Sequence, residues 1–449
     1  MTDVRDNTPL VLGTEKIGKL LMQYAIPAII AMTASSLYNM VDSIFIGHGV
    51  GPLAIAGLAI TFPLMNLAAA FGSLVGVGAS TLVAIKLGQK DKESATHVLG
   101  NVVLLNAIIG LIFMTVALVF LNPILLFFGA SPDTLPYARE YMEVILAGNL
   151  ITHIYMGLNE VLRASGYPRK AMTATLMAVI VNCVLDALFI LVFEWGIRGA
   201  ALATIMAQVI SLSWQLHHLF DKKSFLHFQR GIFGLKRHIV GGMLAIGLSP
   251  FLMNLCACFV VILINKSLKA HGGDLAIGAY GIVNRVVFLF IMIVMGFNQG
   301  MQPIAGYNFG ARQFDRLIQV LKYTIFCGVT VTTIGFLSGQ LFPRSIVYLF
   351  TTDAELIRIA VEGLRIVVIF FPVVGFQMVT SSFFQSIGMA KKAIFLSLTR
   401  QLLFLIPSLL ILPNFFGTDG VWMSMPVADA IATIVAALML RWQLKHLKV

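Results

Sequence analysis

The chain has 449 residues, 58% hydrophobic and 11% charged, with a mean hydropathy of +0.91. Soluble domains carry roughly 25% charged residues, so this composition excludes a water-soluble globular protein and predicts an all-α polytopic membrane protein. The formal net charge of +11 does not signal a nucleic-acid binder, because the Lys and Arg residues fall in short loops between apolar runs rather than on one folded polar surface.

Apolar runs of spanning length predict helices near residues 20–45, 53–85, 98–120, 136–161, 171–193 and 197–219, then 240–265, 275–302, 317–340, 357–386, 393–412 and 420–442. Residues 1–18 are polar and the first apolar run is already long enough to span, so the first helix is expected to direct insertion itself. Lys and Arg concentrate on alternate loops: Arg5, Lys16 and Lys19; Lys86, Lys90 and Lys92; Arg163, Arg169 and Lys170; then Lys222 to Arg237 and their later equivalents. By the positive-inside rule both termini are expected to be cytoplasmic.

The polar stretch from Leu216 to His238 divides the chain into an expected first lobe (1–219), a basic cytoplasmic linker (220–239) and a second lobe (240–449). The halves echo each other. Leu53-Ala-Ile-Ala matches Leu275-Ala-Ile-Gly, Leu87-Gly-Gln-Lys matches Phe309-Gly-Ala-Arg, and Gly166-Tyr-Pro-Arg-Lys-Ala matches Gly388-Met-Ala-Lys-Lys-Ala, all at a shift of 222, while Pro27 and Pro250 correspond at 223. Two six-helix lobes enter the membrane from one side, which predicts a parallel pseudo-two-fold repeat enclosing a central, alternately opened cavity.

The first helix, Pro27 to Phe45, carries Tyr38, Asn39 and Asp42 inside an apolar run. An intramembrane carboxylate costs about 3 kcal/mol on insertion scales and needs a partner or a use. The fifth helix stacks Asn182 and Asp186 four apart on one face, and the sixth stacks Thr204 and Gln208 likewise. Counting helix directions brings Asp42, Asp186 and Thr204 to one depth. Two carboxylates there cannot both ionise at low cost without a cation, so the pair is expected to hold a proton or a sodium ion, with oxygens from Asn182 and Thr204. The plainer uses are structural: Asp42 can reach headgroup water, and Asn182, Thr204 and Gln208 can hydrogen-bond between helices. At shifts of 221 to 223 Asp42 meets Asn265, Asp186 meets Ser408 and Thr204 meets Met425, so Asp429 is the candidate left in the second half. Arg285 and Arg400 are expected to lie near helix ends and snorkel. Cys183, Cys256, Cys258 and Cys327 lie in apolar runs and read as small buried hydrophobes. Thirty-three Phe and 21 Met suit a cavity for bulky ligands, although most should face lipid or core.

These segments resemble the multidrug and toxic compound extrusion (MATE) family: twelve spans in two halves, Pro27 with Tyr38-Asn-Met-Val-Asp42, Asn182-Cys-Val-Leu-Asp186, Gly199-Ala-Ala-Leu-Ala-Thr204, and Gln299-Gly-Met-Gln-Pro-Ile-Ala-Gly-Tyr-Asn308. The resemblance implies two lobes in a V and export of small organic cations against a sodium or proton gradient, without cofactor. It implies a functional monomer in a bacterial inner membrane. It matches Asp42, Asn182, Asp186 and Thr204 to the first-lobe cation site and Tyr38 and Asn159 to the lining of that cavity, where Asn39, Gln208 and Asp429 are further candidates. It likens Pro27 to a proline where the first helix bends. The second-lobe acidic pair of some branches is not matched.

Three other readings remain. A flippase for a lipid-linked or anionic precursor would place more Lys or Arg toward the cavity. An intramembrane enzyme would use the two Asp residues as an acid/base pair. A channel would need mid-membrane selectivity rings.

Overall fold

A computed structural model describes residues 11–447, so Arg5 and Lys448 lie outside the described residues. Among these the chain is helical throughout, with no strand. The first lobe's spans are α1 (Ile17–Gly49), α2 (Pro52–Gly88), α3 (Lys92–Val119), α4 (Leu135–Ala147), α5 (Asn149–Ala164), α6 (Pro168–Val192) and α7 (Gly196–Phe220). The second lobe's are α8 (Arg237–Gly273), α9 (Leu275–Gly310), α10 (Phe314–Leu341), α11 (Ala354–Val367), α12 (Phe371–Ser386), α13 (Ala390–Phe416) and α14 (Thr418–His446). Ten of these are individually long and apolar enough to cross a membrane, and α11 with α12, bent by 55°, passes the same test only as a pair.

Local chemistry sets the ends. Pro52 and Pro168 occupy first-turn positions where no amide hydrogen is needed, and Asp91 caps α3 by accepting from the Ser94 amide at 3.0 Å. That hydrogen bond holds the Asp91 carboxyl below its usual range.

Two expected continuous spans are broken. The run expected at 136–161 is two helices meeting at Gly148, and that at 357–386 is α11 and α12 meeting at residues 368–370. The Ile205 side chain fills the space over Gly148, where a Cβ would lie 2.3 Å from Ile205 Cδ1. Pro372 stands at the start of α12, where it lacks an amide hydrogen and restricts the residue before it. Gly148 and Phe370 are themselves 222 apart.

The backbone repeats as the motifs do. Left-handed residues recur at the same shift: Gly51 and Gly273 (φ 123 and 68), Lys90 and Arg312 (φ 62 and 55), Gly166 and Gly388 (φ 99 and 74). Lys90 and Arg312 are not glycines, so they bear a cost that only a fixed tight turn sustains.

The chain forms two compact units, one from residues 30–251 with the described residues before Lys16, the other from residues 16–29 with those from Leu252 on. Each therefore contains the start of the other half's first helix. In the first unit α8 crosses α2 so closely that a Cβ on Gly78 would lie 1.9 Å from the Met243 carbonyl oxygen, and one on Gly247 would lie 1.7 Å from that of Leu74. In the second unit a Cβ on Gly300 would lie 2.7 Å from the Ala25 amide nitrogen and one on Gly296 2.3 Å from Ile29 Cγ1. Gly78 corresponds to Gly300, and Ala25 to Gly247, so the two crossings are images of one contact. Pro27 and Pro250 stand three and two residues before the point where their helix passes from one unit to the other. Gly78→Val places a branched side chain into backbone with no room to yield, and is expected to lower the melting temperature of purified protein by overpacking, at about 1–3 kcal/mol. An unchanged melting curve would contradict that packing.

The basic linker is ordered against the first unit. Leu226 and Ile232 are buried, Asn101 Nδ2 donates to the Gly234 carbonyl at 3.1 Å, and the Lys236 amide donates back to Asn101 Oδ1 at 3.1 Å.

Candidate cation site

The site forms where α1, α4, α6 and α7 meet inside the first unit. Helical spacing places Tyr38 and Asp42 one turn apart on α1, and Asn182 and Asp186 one turn apart on α6. The Tyr38 hydroxyl shares a hydrogen bond with Thr204 Oγ1 at 2.9 Å. In the orientation that satisfies both ends of its amide, Asn182 Nδ2 donates to Asp186 Oδ2 at 2.9 Å and Oδ1 accepts from Thr204 Oγ1 at 3.2 Å. The α-helix of α6 widens to a π-helical stretch at Ala187–Val192, directly after Asp186. Such wide turns interrupt the regular backbone pattern and are frequent at functional sites.

Asp42 is 5% exposed and Asp186 fully buried, and each keeps one carboxylate oxygen, Oδ1, without a protein partner. Asn182 Nδ2, which donates to Asp186, also lies 3.3 Å from the Tyr38 hydroxyl, one helical turn before Asp42 on α1. Among the described residues no Lys or Arg pairs with either. A buried carboxylate pair with free oxygens, beside a hydroxyl and an amide oxygen, is a hard-oxygen donor set. It suits a proton or a small hard cation such as sodium.

Of the other residues singled out in the sequence, Asn39 is exposed on α1 and does not join the cluster. Gln208 and Asn159 lie deeper in the same unit: Thr152 Oγ1 donates to Gln208 Oε1 at 2.5 Å, and Asn159 Nδ2 donates to Thr175 Oγ1 at 2.9 Å. Asp429 is in the second unit, 5% exposed, and accepts from Arg400 Nε at 2.5 Å. Arg400 thus does not snorkel, as its sequence position had suggested; it sits in a π-helical stretch of α13 (Thr399–Leu405) facing that carboxylate. Sequence reasoning missed Tyr141, a buried residue of α4 that packs in one core cluster with Ile46 of α1, Ile190 of α6 and Ala200 of α7, beside the site. No periodicity or spacing distinguishes Tyr141 from other aromatics.

A duplicated bundle of membrane-spanning helices with a buried carboxylate couple in one half marks a polytopic membrane protein of the transporter class. The family follows from the match of residues 27–188 and again 246–410 to the MatE family, one match per repeat, and the chain belongs to that family. It is 27% identical to the multidrug export protein MepA of Staphylococcus aureus, over 94% of this chain and 92% of that protein. It superimposes on MATE in the bent conformation with a TM-score of 0.93 at 27% identity, covering 98% of each chain. On MATE in the straight conformation the TM-score is 0.91 at 27% identity, again over 98% of each.

Proposed function

We propose that the protein is a secondary active multidrug exporter that moves bulky organic cations out of the cell in exchange for inward sodium or protons. The carrying observation is the buried Asp42–Asp186 couple, with no basic partner among the described residues, because it must acquire a cation or proton to be stable in the membrane. The multidrug export function of MepA supports the substrate class. The matching glycine crossings and the two prolines at which α1 and α8 change units support alternating access, since a proline removes the backbone hydrogen bond that would stiffen each helix there. Coupling requires that ion and drug each bind the two conformations unequally. In this reading Tyr38 and Asn39 line the drug path, the functional unit is a monomer without cofactor, and it sits in a bacterial inner membrane with both termini cytoplasmic.

Expression in a drug-sensitive bacterium is expected to lower steady-state accumulation of a fluorescent organic cation, and an ionophore that dissipates the driving gradient is expected to restore it. Equal accumulation with and without the protein, at verified membrane expression, would overturn the reading.

A further inference from the structure

The cation site is the top of a polar seam that continues through the first unit. On α7, Thr204 is followed by Gln208, Ser211 and Gln215, at spacings of four, three and four that keep them on one face. Partners stand opposite at successive levels. Below the Thr204 level, Thr152 of α5 meets Gln208. One turn on, Ser211 Oγ donates to the Ala174 carbonyl at 2.6 Å, and Tyr155 of α5 is buried. Gln215 is fully buried, and neither its Nε2 nor its Oε1 has a protein partner. Asn159 Oδ1 is also buried without one. Beyond Gln215 the seam reaches the end of α7, where Lys170 Nζ donates to His218 Nδ1 at 2.8 Å and Glu160 pairs with Arg163 at 3.2 Å.

Interhelical hydrogen bonding alone does not account for this pattern. Polar side chains that act as glue are satisfied by each other, whereas a buried amide with both ends unmatched is costly unless water reaches it. From Thr204 to Gln215 the seam descends roughly 16 Å along α7 at 1.5 Å per residue, toward the basic side of the membrane.

We infer that the seam formed by Thr204, Gln208, Ser211 and Gln215 against Thr152, Tyr155, Asn159 and Thr175 is a hydrated route by which the coupling cation leaves the Asp42–Asp186 site within the first unit. It takes a small hydrated cation, a proton along its water or a sodium ion with it, and excludes the bulky drug. Gln208 and Asn159 then serve the ion rather than the drug. Such a route lets the ion leave without sharing the drug's own cavity. The inference rests on the Asp42–Asp186 couple being the coupling site.

The test uses full-length protein reconstituted in vesicles and compares Gln215→Leu with Gln215→Ser. Leucine plugs the seam with apolar bulk; serine leaves room for water. Gln215→Leu is expected to slow ion-driven extrusion of a fluorescent organic cation by ~10-fold or more, the scale of removing a polar group from a charge's path through a membrane. Gln215→Ser is expected to retain most of the rate, and neither variant to change the melting temperature appreciably. In a background with the four native cysteines replaced, Gln215→Cys is expected to react with a small charged, membrane-impermeant thiol reagent from the basic side. Wild-type rates for Gln215→Leu, equal slowing of both variants with lowered melting temperatures, or an unreactive Gln215→Cys would each overturn the route. Asp42→Asn and Asp186→Asn run in parallel keep the two claims apart. Their failure to alter transport overturns the coupling site and the route with it, whereas transport lost in them but intact in Gln215→Leu overturns the route alone.

Discussion

Asp186→Asn and Asp42→Asn are each expected to cut ion-driven extrusion by roughly 5- to 150-fold, corresponding to the loss of about 1–3 kcal/mol of coupling free energy. Asn keeps the shape and one oxygen of each side chain but removes the charge that the proposed coupling cation would bind, so Asn182, Thr204 and Tyr38 retain partners while that ion would lose its reason to bind. Stability should be preserved or raised, because each substitution relieves a buried like-charge couple of one of its charges. The pair of readouts matters: lost transport with an intact melting curve assigns the carboxylates to the ion. Lost transport with lost folding would assign them to packing and contradict the account.

The second large effect lies in the other unit. Arg400 and Asp429 form an ion pair, with Asp429 5% exposed, the Arg400 side chain 30% exposed and the Nε–Oδ1 distance 2.5 Å. Breaking such a pair from one side leaves a charge without compensation, at a cost of about 3–5 kcal/mol, whereas replacing both partners by apolar residues of similar volume is close to neutral. Asp429→Asn and Arg400→Met are therefore each expected to lower the melting temperature of purified protein substantially, and the double variant Arg400→Met with Asp429→Leu to recover most of the loss. Additive losses in the double variant would show that the two do not act as a pair. Because Asp429 already faces a cation of its own chain, the pair neutralises the second unit internally, in contrast to the unpaired couple in the first.

Much of this was legible in the chain. The shift of 222 seen in short motifs reappears in the left-handed turns at Lys90 and Arg312 and in the mirrored crossings at Gly78 and Gly300, because one duplicated unit repeats its backbone wherever its packing is repeated. Counting helix directions was enough to bring Asp42, Asn182, Asp186 and Thr204 together, since depth in a membrane follows from residue number at a fixed rise. What escaped depends on rotation and on contacts between distant segments. Tyr141 lies on α4, whose break at Gly148 resets the helix face, and the pairing of Arg400 with Asp429 spans two helices whose π-helical stretch shifts the register. The ordered linker had a signal that charge obscured: Leu226 and Ile232 stand among its basic residues and are buried.

Purified protein in vesicles, with a fluorescent organic cation and sodium and proton gradients imposed separately, tests the central claim most directly. The account predicts uphill movement of the organic cation under one of the two gradients, in the direction opposite to the ion, and its loss in Asp42→Asn and Asp186→Asn. Uphill movement that persists undiminished in both variants, or none under either gradient with folded wild-type protein, would contradict it.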